Sequence, residues 1–357
     1  MELGIYTFGD MIGETTPRTW GLRLDALLRQ AEAADAAGLD VFALGEHHRP
    51  DFAVSAPEVV LAAVAARTQR IRLTTSVTVL STADPVRVME QFGTLDQLSH
   101  GRAEITVGRG AFTEPFPLFG YDMQDYDGLF EEKLRLLIQL RDAPGKPWQG
   151  RFRTPLAGNM HVGPRPIQDR LPIWIGVGGT PQSAVRAGGL GQPMFLALFT
   201  GAAQGVRLVE LYRRAGEAAG HPAEALQLAT GGHMFVGRNS QRAQDEFYPY
   251  YAHYMSLHPA FRDGMPRHVY DQWVAAGLLV GSPQQIIDGI LTHREVLGSD
   301  RFVGQFDPGM PEAAADASLE LFLTEVLPVI KAETRADHET SGARQDQSDS
   351  AETEKGR

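Results

Sequence analysis

The sequence predicts an α/β fold, a (β/α)8 TIM barrel with an inserted helical segment before the last strand. Short apolar runs alternate with helical periodicity from start to finish, and eight runs have strand character. No Gly-x-Gly-x-x-Gly motif follows the first run, where Tyr6-Thr7-Phe8-Gly9-Asp10-Met11 stands instead. That difference disfavours the alternative, a doubly wound open sheet. We expect residues 1–331 to form a single barrel domain.

The predicted strands are short and mostly apolar. In chain order they cover residues 3–8, 41–44, 72–79, 103–107, 173–176, 194–198, part of 226–236, and 301–305. Short apolar runs bounded by turn signals are consistent with strands that are buried on both faces, as in a parallel sheet. A long loop at 108–125 and an irregular or hairpin segment at 151–166 interrupt the alternation.

The predicted helices have apolar residues at spacings of three and four and recognisable ends. Helix one carries, on one face, Leu24, Leu27, Leu28, Ala31 and Ala34. Gly38 follows as a candidate C-cap. Pro57, Pro85 and Pro181 suit the first turns of helices two, three and five. The other helices are predicted at 128–140, 204–219, 282–297 and 313–330, with the inserted helical segment at 240–276.

The composition disfavours several classes of function. The absence of cysteine removes disulfides, thiolate nucleophiles, iron–sulfur ligation and zinc–sulfur sites. The four lysines, none of them after a predicted barrel strand, disfavour a Schiff-base aldolase. A net charge of −11 without a basic cluster indicates no nucleic-acid partner.

The ends of the chain bear on its location. No stretch approaches the roughly 20 apolar residues of a membrane span, so we expect no membrane partner. The first residues lack the basic region of a secretory signal, and a cytoplasmic location is therefore expected. Residues 332–357 are polar and are predicted to form a disordered tail.

Helices two and three predict a homodimer. Residues 59–66 are apolar all the way round the helix, so both sides need a covering partner. Helix three carries Val88, Phe92 and Leu95 on one face and Val86 and Met89 on another. Burial under the chain's own loops is one interpretation. A subunit interface built from the two helices is the favoured one.

Glu46, His47 and His48 follow the second predicted strand, at the barrel end where active sites form. The motif allows a metal site, a structural role, or acid–base and ligand-orienting work in a pocket. Adjacent histidines rarely bind one metal alone, and only His161 and His233 also lie near plausible strand ends. No metal is therefore expected, and acid–base work is favoured.

The chain resembles the bacterial-luciferase-like, flavin-dependent monooxygenase family from residue 3 to residue 330. The resemblance rests on several motifs in the family's order and spacing. They are residues 45–49, 55–58, 82–87, 95–102, 107–110, 119–120 and 173–183. The chain departs from the light-emitting enzymes at Gly108, where they carry a reactive cysteine, so it is identified as a non-luminous member.

The resemblance implies roles for individual residues. His47 matches the catalytic histidine beside the reduced flavin, and Glu46 is expected to hold the orientation of its imidazole. Arg109 matches a position against the flavin. Ser76 and Val77 fall where family members hold a non-prolyl cis peptide under the flavin ring.

A glycine turn before helix five is the expected phosphate site. Gly178 and Gly179 allow close backbone approach, Thr180 is the N-cap, and free amides at the helix start, including that of Ser183, would meet the phosphate. By itself the turn is equally consistent with an ordinary capped helix. The resemblance favours phosphate.

Aromatic residues on the loops after strands one and four have two interpretations. Phe8 and Phe112 serve packing, or together with His48 they line an apolar substrate pocket. Both readings stay open on the sequence alone.

The resemblance implies a two-component monooxygenase. Reduced FMN would arrive as a co-substrate from a separate flavin reductase, and an apolar small-molecule organic substrate would be oxygenated with O2. A deazaflavin-dependent oxidoreductase on the same fold is a less favoured alternative. A non-catalytic flavin-binding protein is another, and the presence of both His47 and Arg109 argues against it.

Overall fold

The computed structural model describes residues 1–335 and gives ten strands within that range. The strands are β1 Glu2–Thr7, β2 Val41–Leu44, β3 Arg72–Thr75, β4 Thr78–Val79, β5 Ile105–Gly108, β6 Ile173–Val177, β7 Met194–Ala197, β8 Leu228–Val236, β9 Leu279–Gly281 and β10 Arg301–Gln305.

Eleven α-helices lie within the same range. They are α1 Pro17–Ala37, α2 Pro57–Ala65, α3 Pro85–Ser99, α4 Pro115–Leu118, α5 Tyr126–Asp142, α6 Pro181–Gly189, α7 Val206–Ala218, α8 Ser240–Met255, α9 Arg267–Ala276, α10 Pro283–Leu297 and α11 Glu312–Leu321. Among these helices none is long and apolar enough to cross a membrane.

The strands form a parallel barrel, which confirms the predicted fold class. Their order is β3-β2-β1-β10-β8-β7-β6-β5-β4, and every pairing is parallel. The ring closes because β4 pairs with β5 while Leu73 of β3 bridges to Ala103, just before β5. β3 and β4 are thus two halves of the third predicted strand, and the other seven barrel positions match the remaining predictions.

The break between β3 and β4 lies at Ser76 and Val77. The peptide bond that joins them is cis, as the resemblance predicted. The predicted C-cap of α1 is also confirmed, because Gly38 adopts the left-handed conformation with φ 83°.

Three boundaries differ from the sequence prediction. The inserted segment contains α8 and α9 but ends in an additional strand, β9, which pairs with the outer half of β8. The predicted loop 108–125 contains the one-turn helix α4. Residues 332–335 continue the last helix instead of starting the predicted tail, and the remainder of that tail lies outside the described residues.

The barrel interior is apolar in its middle layer and ionic at its base. Inward side chains meet in a cluster made of Tyr6, Ala43, Trp174, Phe195, Ala229 and Val303. Below it, Arg301 pairs with the buried Glu104 at 2.6 Å and lies 4.6 Å from the Trp174 ring centroid. These side chains fill the lower barrel and leave the carboxyl end of the strands for the site.

Helices α2 and α3 cover the barrel but keep apolar side chains in solvent. Val59 is 66% exposed and Leu98 is 57% exposed. The second face predicted for helix three is partly covered by this chain itself, because Met89 is buried. The uncovered part of this surface is therefore smaller than the sequence pattern indicates.

Candidate active site

His47 lies in an aromatic box at the carboxyl end of β2. Its ring stacks on Phe8 at 4.2 Å between centroids and meets Phe52 at 4.5 Å and Phe112 at 4.7 Å. Its backbone amide donates to the Val54 carbonyl at 3.0 Å. Two of the three pocket residues predicted from the sequence, Phe8 and Phe112, thus do meet His47.

Burial determines the charge of His47. Loss of water lowers the pKa of the imidazole to about 3, and the positive charges of His48 and Arg49 act in the same direction. The ring is therefore neutral at physiological pH. A neutral imidazole both donates and accepts a hydrogen bond, as a group that moves a proton requires.

The role expected for Glu46 is wrong. Its carboxylate does not orient His47, because one oxygen lies 2.7 Å from His48 Nε2 and the other accepts the Val79 amide at 2.9 Å. Glu46 and His48 are therefore held together on the loop that follows β2. The orientation of His47 comes instead from the rings around it. His48 is enclosed further by Phe119, which meets it edge-on at 4.9 Å.

Val77 forms an apolar platform beside this box. Ser76 is buried, but the Val77 side chain is only half-buried. A Cβ built on Gly108 would lie 2.5 Å from Val77 Cγ2, and one built on Gly176 would lie 2.8 Å from Val77 Cγ1. The two glycines therefore make the room that Val77 occupies above β5 and β6.

Arg109 connects the loop after β5 to the start of α6. Its guanidinium donates to Thr180 Oγ1 at 3.1 Å and to the exposed Asp127 at 2.7 Å. The ring of Tyr126 lies 5.1 Å from it, and that hydroxyl donates to the Gly110 carbonyl at 3.1 Å. A cation is thus held directly beside the predicted phosphate turn.

The turn before α6 leaves open space next to that cation. A Cβ added at Gly178 or Gly179 would meet no atom within 4 Å, and Gly179 has a φ of 111° that favours glycine. Thr180 is the N-cap residue, but its side chain does not bond the helix. The Ser183 amide was expected to be free, but it donates to the Thr180 carbonyl at 3.0 Å, and Ser183 is buried.

Sequence reasoning missed a buried polar group where β1 and β10 end. Asp10 and Asp307 face each other beside Arg23, which pairs with Asp307 and donates to the Asp10 carbonyl at 3.2 Å. Burial raises the pKa of both carboxyls, and for Asp10 the charge of Asp307 adds to the increase. The two residues are almost 300 positions apart, so only the closed barrel brings them together.

Sequence reasoning also missed the surroundings of His233 on β8. Its ring meets Phe199, Tyr251 and Tyr254 at 4.8, 5.3 and 5.3 Å. The run of tyrosines in the inserted segment, at 248, 250, 251 and 254, is the signal that could have predicted an aromatic cover. In residues 1–335 no group of three or more metal-ligating side chains converges.

The residues present fit a flavin nucleotide. The half-buried platform of Val77 offers an apolar surface for a planar ring, and the neutral His47 lies in the box beside it. Arg109, with the open glycine turn, offers a cation and free space for a phosphate. The fold and the site are therefore those of an α/β barrel that offers a surface for a planar ring and a cation for a phosphate.

Comparison with known proteins identifies the family. The model of the luciferase-like monooxygenase family matches residues 1–301, and the chain belongs to that family. The alkanal monooxygenase alpha chain of the Kryptophanaron alfredi symbiont is 25% identical over 333 residues, which cover 85% of this chain and 92% of the relative.

Two further relatives match about half their own length. The uncharacterized protein y4wF of Sinorhizobium fredii is 32% identical over 189 residues, 52% of each chain. The N-acetyl-S-alkylcysteine monooxygenase of Bacillus subtilis is 33% identical over 191 residues, which cover 52% of this chain and 53% of the relative.

Solved structures share the whole fold. The monooxygenase RslO1 from Streptomyces bottropensis is 26% identical with a TM-score of 0.80, covering 92% of this chain and 99% of its own. Two others share the fold at lower identity. The oxygenating constituent of 3,6-diketocamphane monooxygenase from Pseudomonas putida, in complex with FMN, is 20% identical (TM-score 0.73, 92% and 98% covered). The coenzyme F420 dependent tetrahydromethanopterin reductase from Methanopyrus kandleri is 18% identical (TM-score 0.71, 92% and 99% covered).

Proposed function

We propose that this protein is an FMN-dependent monooxygenase that uses reduced FMN and O2 to oxygenate an apolar organic substrate. The observation that carries the proposal is the platform of Val77, which the loop after β5 connects both to the His47 box and to the Arg109 cation. Gly108 links the platform to Arg109 along the chain, and Phe112 of the same loop contacts the His47 ring. These residues at the carboxyl end of the barrel therefore offer a surface for a ring, a neutral group for proton transfer and a cation for an anion.

Each of these residues has a distinct proposed task. Val77 would support the flavin ring, with Ser76 beside it, and Arg109 and Thr180 would hold the phosphate above Gly178. For this, Arg109 would exchange part of its contact with Asp127 for the phosphate. The bound flavin supplies the electrons and the reaction with O2. His47 would hold or move the proton, and Phe8, Phe52 and Phe112 would exclude water from it.

Two partners belong to the proposal. A separate flavin reductase would supply the reduced FMN in the cytoplasm. A second copy of this chain would cover Val59 and Leu98 on α2 and α3, whose groove also carries Arg87 and Glu90. A twofold interface brings the same patch of both copies together, so these opposite charges have partners available across it.

A deazaflavin-dependent oxidoreductase is the second candidate function. One structure with this fold is described as F420 dependent, but at 18% identity it shows the fold alone. The aromatic box around His47 favours the oxygen-using candidate, since side chains that exclude water would protect the chemistry with O2 from side reactions. The non-catalytic alternative is disfavoured because the site keeps a neutral histidine next to the platform.

The decisive experiment has two arms. In the first, reduced FMN, reduced riboflavin and a reduced deazaflavin are titrated anaerobically, and FMN is expected to bind tightest. In the second, a panel of apolar organic compounds is incubated with reduced FMN and 18O2, and labelled product is detected by mass spectrometry. Tighter binding of the deazaflavin, with no 18O in any product, would support the second candidate instead.

The phosphate site has its own test in Gly178→Asp. A carboxylate about 5 Å from a phosphate dianion repels it by roughly 1.7 kcal/mol even at the dielectric constant of water, equivalent to more than 10-fold in affinity. FMN binding should weaken by at least that factor while riboflavin binding stays unchanged. Gly178→Asn, of the same shape without the charge, is the matched control. Equal losses for FMN and riboflavin in Gly178→Asp would place the phosphate elsewhere.

A further inference from the structure

Residues 111–119, on the loop after β5, form a segment whose side chains contact His47 and His48. Phe112 meets the His47 ring at 4.7 Å between centroids, and Phe119 meets His48 edge-on at 4.9 Å. His47 is only 8% exposed. A substrate can therefore reach the imidazole only if a side chain around it moves, and this segment supplies one of those side chains.

Glycines stand at both ends of this segment. Gly110 and Gly120 lie in the left-handed region, with φ of 86° and 77°, which other residues rarely adopt. Between them the chain bonds to itself, and the Phe119 amide donates to the Pro115 carbonyl at 2.9 Å. Backbone rotation at a glycine meets little steric resistance. The segment can therefore move as one piece between its two glycines.

Arg49 connects the segment to the loop after β2. Its guanidinium carbon lies 5.0 Å from the centroid of the Phe112 ring, and its Nη1 atom pairs with Glu114. Its Nε atom donates to Asp51 Oδ2 at 2.8 Å. A planar guanidinium can lie against a ring and bind two carboxylates at once, a combination that the point charge of a lysine does not reproduce.

The loop that carries Arg49 is itself tied to the barrel by its backbone. The Asp51 carbonyl accepts the Met11 amide at 2.8 Å, and the Ala53 amide donates to the Gly9 carbonyl at 2.8 Å. Both bonds join this loop to the residues that follow β1. Arg49 therefore reaches the segment from a side of the site that is held in place.

The contacts of Arg49 favour the closed position of the segment without locking it. The side chains of Arg49 and Glu114 are 26% and 38% exposed, so water can replace the bond between them. An exposed ion pair and a cation–π contact each favour the paired state by about 2- to 5-fold, which together is about 4- to 25-fold. Removing both contacts should shift the balance toward an open segment by the same factor.

Packing alone is the alternative explanation for the closed position. Phe116 is fully buried, and its ring centroid lies 5.4 Å from that of Tyr126. If this anchor held the segment by itself, the loss of Arg49 would leave the surroundings of His47 unchanged. Arg49 contacts Phe112, the side chain that meets His47, and this favours a role for the arginine.

We propose that residues 111–119 are a lid over His47, and that Arg49 is the positioning residue that holds the lid closed through Glu114 and the Phe112 ring. The lid would open to admit a substrate and close to exclude water from the imidazole. This inference rests on the proposed function, because it adds a positioning residue to the same site. Arg49 acts through Phe112 and leaves proton transfer to His47.

The experiment measures how readily a reagent reaches His47 in the flavin-free protein. Diethyl pyrocarbonate modifies accessible neutral imidazoles, and mass spectrometry of peptides gives the rate at His47 apart from the rates at the other histidines. The variants are Arg49→Met, Arg49→Lys and Glu114→Gln. The matched control is Arg267→Met on α9, because Arg267 also pairs with two carboxylates and lies 5.2 Å from the ring centroid of Tyr248.

Arg49→Met should speed the modification of His47 about 4- to 25-fold, because both contacts are lost. Glu114→Gln removes only the ion pair and should speed the modification about 2- to 5-fold. Arg49→Lys keeps the charge but loses the planar group, so its rate should lie between those of the natural chain and Arg49→Met. Arg267→Met should react at the rate of the natural chain.

The titration of His47 is a second readout, followed by NMR and assigned with His47→Gln. Burial is the main cause that lowers the pKa of His47 to about 3, and the charges of His48 and Arg49 lower it further. Glu114→Gln keeps both of these positive charges, and the loss of a negative charge by itself would lower the pKa. The midpoint should nevertheless rise, by about 0.3 to 0.7 pH units for a 2- to 5-fold shift toward the open lid, because water then reaches the ring.

Four results would overturn the inference. They are the natural modification rate at His47 in Arg49→Met or Glu114→Gln, an equal increase in Arg267→Met, a midpoint that does not rise in Glu114→Gln, and a rate in the natural chain that does not rise with salt. The last needs no variant, because about 1 M KCl screens the ion pair, with free N-acetylhistidine in the same buffer as the reference. None of these measurements uses flavin. Failure here is therefore separate from failure of the proposed function, which is decided by the titration with reduced flavins and the 18O2 assay.

Discussion

Gly108→Ala is the sharpest test of the platform, because it adds one methyl group directly against Val77. The new Cβ would lie 2.5 Å from Val77 Cγ2, with Val77 Cβ and Cγ1 at 3.2 and 3.3 Å. Ordinary contact begins at 3.4 Å, so the closest pair is about 0.9 Å too near. Val77 cannot move toward β6, since Gly176 already lies against its other methyl group. Its side chain has to rise into the site.

Overpacking of this kind costs about 1–3 kcal/mol. Gly108 is not in the left-handed region and the added methyl is compatible with a strand, so the loss comes from the contact alone. Val77 would also rise into the space assigned to the flavin ring. We therefore expect a second effect, a loss of FMN affinity of about 10-fold, the factor that corresponds to 1.4 kcal/mol.

A double-mutant cycle separates the contact from other effects. Urea unfolding is measured for Gly108→Ala, for Val77→Ala and for the pair, together with FMN titration of each protein. Because Val77→Ala removes both crowding methyl groups, the pair should be more stable than the sum of the single losses by about 1–2 kcal/mol. Gly178→Ala is the matched control, since its Cβ would meet no atom within 4 Å, and it should stay within about 0.5 kcal/mol of the natural chain.

Two results would refute this reasoning about the platform. One is a Gly108→Ala protein that is as stable as the natural chain and binds FMN equally well. The other is strict additivity in the cycle, which would mean that the added methyl group and Val77 do not meet.

Four further predictions concern other parts of the molecule. Because burial holds the pKa of His47 near 3, its ring signals should not titrate between pH 5 and 8 in NMR spectra of the flavin-free protein, and a midpoint in that range would contradict the neutral state. His47→Ala should lower product formation about 100- to 10,000-fold with little change in FMN affinity, and turnover at the natural rate would exclude the acid–base role. Val59→Asp together with Leu98→Asp should give a monomer in sedimentation velocity, whereas Val296→Asp, 49% exposed on α10, should leave the mass of the natural protein unchanged; a stable dimer in the double variant would place the interface elsewhere. The native state binds the proton of Asp10 more tightly than the unfolded chain does, so this carboxyl lowers stability as pH rises from about 4 through its raised pKa. Asp10→Asn should remove that pH dependence and stabilise the protein at pH 8 by on the order of 1 kcal/mol, and melting curves that fall with pH equally in both proteins would speak against it.

The secondary structure was largely predictable from local pattern. Apolar runs bounded by proline or glycine are enough to predict a strand or helix when all the residues that indicate it are close together in the chain. Val41–Leu44 and the helix that begins at Pro283 are examples. The third strand was predicted as continuous because the residues at 76 and 77 look like any strand residues. Only the resemblance to a known family indicated the cis bond that divides it.

The contacts of the site were less predictable. Glu46 pairs with His48, two residues further along the loop after β2, and not with the adjacent His47, a choice of partner that the sequence alone does not indicate. The partners of His233 and Asp10 could not be found from the sequence either. Tyr251 approaches His233 only after α8 folds back over β8, and Asp307 approaches Asp10 only when the last barrel strand closes on the first.

At the carboxyl end of this barrel, side chains from neighbouring elements occupy the positions that a Cβ atom on certain glycines would take. Phe8 fills the space next to Gly45, and Val77 fills the space of both Gly108 and Gly176. A side chain at position 108 would therefore act on the proposed flavin site by displacing Val77, whatever its own chemistry. This gives a physical account of the glycine at position 108, where the resemblance led us to expect a cysteine in the light-emitting enzymes. A cysteine at position 108 would place its Cβ where the alanine of Gly108→Ala places it, against Val77. We therefore expect that a cysteine at 108 needs a smaller residue at 77, so that the two positions change together.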